Sequence, residues 1–294
     1  MKCAASIEDF PVLKLPHVYM KDEAQVLRTI NRMIEAGSDK LQVITDFDLT
    51  CTKQHVNGKP VLTSFGIFGK CTQLPVTYAV ESKKLYKKYR PIEIDPELSV
   101  NNKTEAMNEW MVAAEKLLCG FEFDSKELAE VAKKYGTALR DGTKDLFEKL
   151  FEAKVPILVF SAGLGDVVEA VLKDQDVLFK NVKVISNFLK YDGRKLNGFQ
   201  QDRFIHVFNK NEHAINGEYF QILEGRGNVL LMGDSIGDAN MADGVKDLEA
   251  ILRIGFLYDH AEASLPAYME AFDIVLVDDQ TMNVSRDITK KILE

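Results

Sequence analysis

Leu41-Gln-Val-Ile-Thr-Asp-Phe-Asp-Leu-Thr50 is the stretch of sequence that decides the fold. Its first five residues form a compact apolar run with the length and composition of a buried β-strand. Two carboxylates follow, Asp46 and Asp48, and the alternation around Phe47 lets both face the same opening. Because ligands of open α/β sheets bind beyond the carboxyl ends of the strands, the sequence predicts a functional site here. The alternative, which this motif taken alone leaves open, is an acidic turn that happens to follow a strand.

Further apolar runs of strand length alternate with stretches of helical pattern. The predicted strands are 155–160, 182–185, 229–232, 251–254 and 274–277, and the predicted helices are 22–36, 143–152, 165–173 and 260–271. Strands that alternate with helices imply a parallel sheet with helices on both faces. We therefore predict an α/β fold with a doubly wound, mostly parallel sheet.

One segment interrupts this alternation. Residues 51–155 contain no convincing core strand but carry helical patterns at 78–89, 103–119 and 125–135. A strand-helix-strand unit needs only about 30 residues, so roughly 70–80 residues are surplus. We predict a mostly helical cap at 59–141, inserted into a catalytic core formed by 1–58 and 142–294. A smaller excursion, 187–199, contains a predicted hairpin turn at 191–194.

Composition and charge exclude several classes of protein. The net charge of −8 is unsuited to coating polymeric nucleic acid, whose binding depends on neutralised phosphates. The apolar runs are too short to cross a bilayer, and the first residues lack the pattern of a secretion signal. The four cysteines are scattered without paired spacing, as is typical of reduced thiols. We expect a cytoplasmic protein without a membrane partner, and a monomer.

A second candidate motif is Phe160-Ser-Ala-Gly163, again at the end of a predicted strand. Ser161 with the backbone of Ala162 and Gly163, at the start of a helix, can bind phosphate. The alternative is that Ser161 only caps the helix, and for this motif taken alone that alternative is the better one.

A third motif, Gly233-Asp-Ser-Ile-Gly-Asp238, follows another predicted strand. Mg²⁺ takes one or two carboxylates together with substrate and water oxygens, a demand that Asp46 and Asp234 with a phosphate would meet. The alternative is a plain Gly/Asp turn. Lys210 by itself indicates only a solvated surface lysine, but a site with clustered aspartates and a phosphate requires a fixed cation.

Together, the order of these motifs resembles that of the haloacid-dehalogenase-like phosphatase superfamily. A closer resemblance, over almost the whole chain, is to the cytosolic 5′-nucleotidase III family, which dephosphorylates nucleoside 5′-monophosphates. The similar segments are Val43-Ile-Thr-Asp-Phe-Asp48, Pro91-Ile-Glu-Ile-Asp-Pro96, Glu109-Trp110, Phe160-Ser-Ala-Gly163, Lys183-Val-Ile-Ser-Asn-Phe188, Ile205-His-Val-Phe-Asn-Lys210 and Met241-Ala-Asp-Gly-Val245. Segments 91–96 and 233–238, and Ala114 where the pyrimidine-specific branch tends to have serine, favour the branch that acts on 7-methylguanosine monophosphate.

The resemblance implies a role for each matching residue. Asp46 would be the nucleophile and Asp48 the general acid and base. Mg²⁺ would bind Asp46, Asp234 and the backbone carbonyl of Asp48, with Asp238 supporting the metal. The residues expected to bind phosphate are Ser161, Ala162, Gly163 and Lys210, and the residue expected to bind the base is Glu93.

Two aromatic residues are candidates for stacking on the base. N7-methylation makes guanine cationic, and a cation over an indole face gains roughly 0.5–2 kcal/mol. We therefore predict that Trp110, the single tryptophan, stacks on the base, with Phe68 preferred to Phe65 for the opposite face. The alternative is that Trp110 only packs in the cap, which its helical spacing from apolar neighbours favours.

Two other functions share the core motifs. A sugar-phosphate or phosphoserine phosphatase would differ only in its cap. A non-catalytic nucleotide-binding protein would differ in having lost catalytic residues, and the presence of Asp46, Asp48, Lys210, Asp234 and Asp238 argues against that function.

Overall fold

The structure is a computed structural model that describes residues 4–95, 97–201, 203–210, 223 and 225–294. The strands are β1 (Val18–Tyr19), β2 (Leu41–Thr45), β3 (His55–Val56), β4 (Lys59–Pro60), β5 (Cys119–Glu122), β6 (Ile157–Leu164), β7 (Val182–Asn187), β8 (Leu189–Asp192), β9 (Lys195–Phe199), β10 (Asn228–Gly233), β11 (Ala250–Leu257) and β12 (Ile274–Val277). The helices are α1 (Glu23–Ala36), α2 (Ser64–Phe68), α3 (Tyr78–Ile94), α4 (Val100–Leu117), α5 (Lys126–Tyr135), α6 (Thr143–Glu152), α7 (Gly165–Asp174), α8 (Ala261–Ala271) and α9 (Asn283–Leu293).

The central sheet has seven strands in the order β1-β12-β11-β10-β2-β6-β7. All neighbouring strands pair in parallel except β1, which pairs antiparallel with β12. Apolar residues alternate between two cores: Val43 and Leu230 join one, Ile44 and Leu231 the other. Both faces of the sheet are therefore covered, which confirms the predicted doubly wound α/β fold.

The predicted core elements agree closely with the structure. The bounds of β2, β12 and α6 coincide with the predicted ranges, and α1 begins one residue later because Asp22 is its N-cap. The two-residue strand β1 was missed because so short a segment carries no periodicity. Strand β6 extends to Leu164, so three of the predicted phosphate-binding residues, Ser161, Ala162 and Gly163, lie within its last four positions.

The segment between β2 and β6 is mostly helical, as predicted, with α3 and α4 packed against each other. Its strand β5 was not predicted, and it pairs with β9 in a three-stranded antiparallel sheet that also contains β8. The excursion at 187–199 is therefore joined to the inserted segment. Helices α2 and α5 lie within the predicted cap, yet they pack on α7, which lies outside it. The contacts therefore do not separate the two parts, and the cap bounds of 59–141 remain a proposal.

No helix in the described part of the chain is both long enough and apolar enough to cross a membrane.

Candidate active site

The three motifs lie on three strands that are neighbours in the sheet, β10, β2 and β6. Asp46 directly follows β2, and its backbone N–H still donates to Met232 O of β10 at 3.0 Å. Asp234 directly follows β10, and Ser161 lies near the end of β6. Because parallel strands end at the same edge, the order of the strands brings the motifs together.

Three carboxylates form the centre of the site. One oxygen from each of Asp46, Asp234 and Asp238 lies within 4.8 Å of the others. The backbone N–H groups of Asp234 and Ser235 donate to Asp238 Oδ2 at 3.2 and 3.0 Å. Gly233 is required beside them, because a Cβ there would lie 2.3 Å from Asp238 Cβ.

This cluster fits a divalent cation. Asp46 Oδ2 is buried and has no hydrogen-bond partner among the described residues, so one oxygen is left to bind a ligand. Oxygen ligands are the ones that Mg²⁺ and Ca²⁺ prefer. Asp238, predicted only to support the metal, is as close to the cluster as the other two carboxylates. The metal role of the Asp48 carbonyl stays a prediction.

Lys210 lies inside the cluster and is 4% exposed. Its ammonium donates to Asp46 and, at 2.8 Å, to Asp238 Oδ1. Burial alone would lower the pKa of Lys210, but the two carboxylates outweigh burial and raise the pKa. The lysine is therefore a fixed positive charge rather than a surface residue.

Burial and mutual repulsion act on the carboxylates in the other direction. Burial raises the pKa of Asp46, and the nearby Asp238 raises it further, while Lys210 opposes both. Asp234 shows the same combination, with burial first and then repulsion by Asp46 and Asp238, and its pKa lies well above the ordinary value. Among the described residues, Lys210 is the cation that directly contacts these carboxylates, and the raised pKa values of Asp46 and Asp234 show that it does not fully offset burial and repulsion, so the site favours a second cation.

The phosphate-binding segment predicted on β6 is held by side chains that sequence reasoning missed. Ser161 is buried, and its Oγ accepts from Gly163 N–H at 3.0 Å. Asn187 Nδ2 donates to Ala162 O at 3.0 Å, and Ser186 Oγ donates to Gly163 O at 2.9 Å. Both side chains come from β7, the neighbour of β6. The signal in the sequence that could have identified these two residues is their position, as polar residues directly after the predicted strand 182–185.

Arg140 is a second residue that the sequence did not single out. It is 1% exposed, and its guanidinium donates to Thr50 O and Leu49 O at 2.6 Å each and to Asp279 O. Leu49 has a φ of 65°, in a left-handed conformation that leucine rarely adopts. Such a conformation persists only where the surroundings hold it, and Arg140 holds the carbonyl of this residue.

The three residues predicted to contact the base divide into two groups: Trp110 and Glu93 are partly exposed, whereas Phe68 is fully buried. Trp110 is half-buried, and Tyr89 stacks on one of its faces with centroids 5.7 Å apart and an interplanar angle of 13°. Glu93 lies on α3, where Arg90 forms an ion pair with it. The side chain of Glu93 is 12% exposed and that of Arg90 is 36% exposed, so only the carboxylate of the pair is largely shielded from solvent.

Phe68 has a different role from the predicted one. It is fully buried, with its ring 5.7 Å from that of Tyr78 and 5.5 Å from that of Phe123. The structure thus makes Phe68 a core residue, because no face of its ring is open to a base. Phe65, the option set aside, is partly exposed and touches Phe199 edge-on. Sequence could not separate the two because both lie on one short helix, α2.

The order of the strands, with the insertion directly after β2 and the aspartates at the ends of β2 and β10, defines a haloacid-dehalogenase-like α/β protein. The sequence profile of the family described as pyrimidine 5′-nucleotidase (UMPH-1) matches residues 49–293. That match covers most of the chain, which therefore belongs to the pyrimidine 5′-nucleotidase (UMPH-1) family.

Individual relatives match over almost the full length. A 7-methylguanosine phosphate-specific 5′-nucleotidase of Drosophila melanogaster is 48% identical, over 97% of this chain and 90% of its own. The Homo sapiens protein with the same name is 38% identical, over 97% and 96%. A crystal structure of cytosolic 5′-nucleotidase IIIB bound to cytidine superposes with a TM-score of 0.94 and 47% identity, over 98% of this chain and 97% of the other.

Proposed function

We propose that the chain is a Mg²⁺-dependent 5′-nucleotidase that hydrolyses nucleoside 5′-monophosphates through an aspartyl-phosphate on Asp46. The observation that carries the proposal is the grouping of Asp46, Asp234, Asp238 and Lys210, with Asp46 and Asp234 directly after the neighbouring strands β2 and β10. Membership of a 5′-nucleotidase family supports it. The name of the cytidine-bound relative also supports a cytosolic location, and we keep the expectation of a monomer.

The residues carry out two displacements at phosphorus. An oxygen of Asp46 attacks phosphorus, the P–O5′ bond breaks, and O5′ takes a proton from Asp48. A water then attacks the aspartyl-phosphate and gives a proton to Asp48, and the bond between phosphorus and the Asp46 oxygen breaks. Lys210 and the segment 161–163 stabilise charge on the other phosphate oxygens. Mg²⁺ bound by Asp46 and Asp234, with Asp238 beside them, would offset the like charges of carboxylate and phosphate.

The substrates that the relatives support are 7-methylguanosine monophosphate and CMP. Two relatives are named for the methylated nucleotide, and the solved structure holds cytidine. Trp110, on which Tyr89 stacks and which Tyr86 contacts edge-on, would stack on the base with the part of its half-buried ring that these residues leave uncovered, and the cationic methylated ring would gain most from that contact. Glu93 would accept N–H groups from the edge of the base while Arg90 holds one of its oxygens.

The decisive experiment is a phosphate-release screen over nucleoside monophosphates, 7-methylguanosine monophosphate and sugar phosphates. We expect the methylated nucleotide and CMP to give the highest kcat/KM. Preferential hydrolysis of a sugar phosphate would contradict the proposal, as would tight nucleotide binding without turnover. Fluorescence of the single tryptophan, Trp110, supplies an independent measure of nucleoside binding.

Removal of the metal should abolish turnover. We expect phosphate release to vanish in excess chelator and to return with excess Mg²⁺, because Asp46 and the phosphate repel each other without the cation. Asp234→Ala should raise the Mg²⁺ concentration for half-maximal rate by at least about 10-fold, since direct ligands matter more than their outer-shell partners. Asp243→Ala, on an exposed surface, is the control. Full activity in excess chelator would instead indicate a metal-free phosphatase.

Loss of Glu93 should affect nucleotides selectively. A hydrogen bond to a charged group contributes about 1.5–3 kcal/mol, so Glu93→Ala should lower kcat/KM for nucleotides by roughly 10- to 100-fold. A small ester such as 4-nitrophenyl phosphate should be nearly unaffected. Glu81→Ala is a matched control, because Glu81 lies on the same helix in an ion pair with Lys84. Equal losses with both kinds of substrate would show that Glu93 does not contact the base.

A further inference from the structure

Both oxygens of the Asp48 carboxylate are held by one residue, Ser64. Ser64 N–H donates to Asp48 Oδ1 at 2.7 Å, and Ser64 Oγ donates to Asp48 Oδ2 at 2.6 Å. Ser64 is the first residue of α2 and is completely buried. It belongs to none of the motifs that identify the site, yet its two contacts determine where the carboxylate points.

The direction of these hydrogen bonds follows from a third one. Leu164 N–H donates to Ser64 Oγ at 3.1 Å, so the hydroxyl already accepts there and its own proton is available to Asp48. The backbone N–H of Ser64 can only donate. Each oxygen of Asp48 therefore uses one of its own lone pairs to accept a hydrogen bond from Ser64 and keeps a second one. The second lone pairs are those that can take up and release a proton.

The contact between Ser64 and Asp48 leaves no spare room. A Cβ on Gly163 would lie 2.1 Å from Ser64 Oγ and 2.7 Å from Asp48 Oδ2. The phosphate-binding segment of β6 thus packs directly on this pair. A glycine at this position and a serine on α2 together fix one arrangement of the carboxylate beside the place where phosphate would bind.

We propose that Ser64 is the positioning residue for Asp48 and that its two donors orient the carboxylate for both proton transfers. This proposal rests on the proposed function, because it concerns the acid and base of that reaction. General acid–base catalysis contributes about 10²–10⁴-fold and requires the group within hydrogen-bond reach of the reacting proton. A carboxylate free to rotate would lose part of that factor while substrate binding stayed the same.

The two half-reactions separate this role from a merely structural one. The nucleoside O5′ is a poor leaving group and needs the proton of Asp48, whereas 4-nitrophenolate leaves without one. Hydrolysis of the aspartyl-phosphate needs Asp48 as a base with either substrate. With 4-nitrophenyl phosphate, loss of Ser64 Oγ should therefore slow only the second half, and 4-nitrophenolate should appear in a burst of about one equivalent per enzyme.

The test compares Ser64→Ala, Ser64→Cys and Thr63→Ala. Ser64→Ala should lower kcat for CMP and 7-methylguanosine monophosphate by roughly 10- to 100-fold with little change in KM. With 4-nitrophenyl phosphate, the same variant should show the burst. Ser64→Cys, a weaker donor, should lie between Ser64→Ala and the wild type. Thr63→Ala is the matched control: it removes the hydroxyl that accepts from Gly66 N–H at the start of the same helix, without a hydrogen bond to Asp48. Its kcat should equal that of the wild type.

Two results would overturn the proposal. One is a wild-type kcat for nucleotides in Ser64→Ala while Asp48→Asn abolishes turnover. The other is that Ser64→Ala and Thr63→Ala both lose kcat equally for nucleotide and for 4-nitrophenyl phosphate, and that neither variant shows a burst. That result would show only that the helix is destabilised. Full activity of Asp48→Asn would contradict the proposed function itself, and the role of Ser64 with it.

Discussion

Asp46→Asn should lose phosphate release by on the order of 10⁴-fold or more while the protein remains folded. An amide cannot form the acyl-phosphate, so the covalent route is closed rather than slowed. The fold should survive because the substitution also removes one of the clustered negative charges. Lys210 keeps its second partner, Asp238, at 2.8 Å.

The measurement has two parts. Steady-state phosphate release gives the loss of turnover, and thermal unfolding shows that the variant is folded. Rapid quenching with a substrate labelled in its phosphate should find label on the wild-type protein, released by hydroxylamine as expected of an acyl-phosphate, and none on the variant. Asp22→Asn is the control, because Asp22 is an exposed helix cap and asparagine caps equally well. Near wild-type turnover by a folded Asp46→Asn protein would exclude the mechanism.

Arg140→Met should lower the free energy of unfolding by about 3–5 kcal/mol and should also reduce kcat. Three carbonyls, those of Leu49, Thr50 and Asp279, would lose a buried donor at once. Each unpaired buried group costs about 1–3 kcal/mol. The guanidinium also lies 3.9 Å from the ring centroid of Phe256, a contact that methionine would replace only in part.

The expected loss of activity comes from the backbone after the two predicted catalytic aspartates. Leu49 is kept at positive φ by Arg140 on its carbonyl and by Thr52 Oγ1, which accepts from its N–H at 2.7 Å. Without Arg140 this turn can relax, and Asp48 directly precedes it. A displacement of about 1 Å at a reacting group can reduce the rate by about 10²-fold.

Arg226→Met is the matched control for this prediction. Arg226 also donates to carbonyls, those of Ser38 and Leu41, at 2.8 and 2.7 Å, but at the amino end of β2, away from the site. Denaturant titration should show a loss of stability in both variants. The rate per folded molecule should fall only in Arg140→Met. Equal rates per folded molecule in the two variants would mean that Arg140 acts on stability alone.

Local patterns were sufficient for most of the core elements, though not for β1 or α9. The apolar run of β2 and the helical period of α6 predicted both bounds of each element, because burial of a strand or of one helix face imposes its period on the sequence. The same local signal exposed the inserted segment as a long interruption. It failed for β5, whose pairing partner β9 is more than seventy residues away in the chain.

The candidate site was predicted in its parts, and only the fold joined them. Asp46, Ser161 and Asp234 each follow or end an apolar run, a position that the sequence reveals, and the resemblance supplied their roles. The roles themselves stay predictions. That β10, β2 and β6 are neighbours, so that these residues meet, is a consequence of how the strands pair over long distances.

The sequence by itself determined the α/β class, the strand ends that carry polar groups and the position of the insertion, because these follow from the periods of burial. The tertiary structure alone decided which polar groups meet. It buried Lys210 between two carboxylates, placed Arg140 under the turn at Leu49 and put Ser64 against Asp48. It also buried Phe68. Such contacts have no period, since a hydrogen bond between distant residues leaves no pattern along the chain.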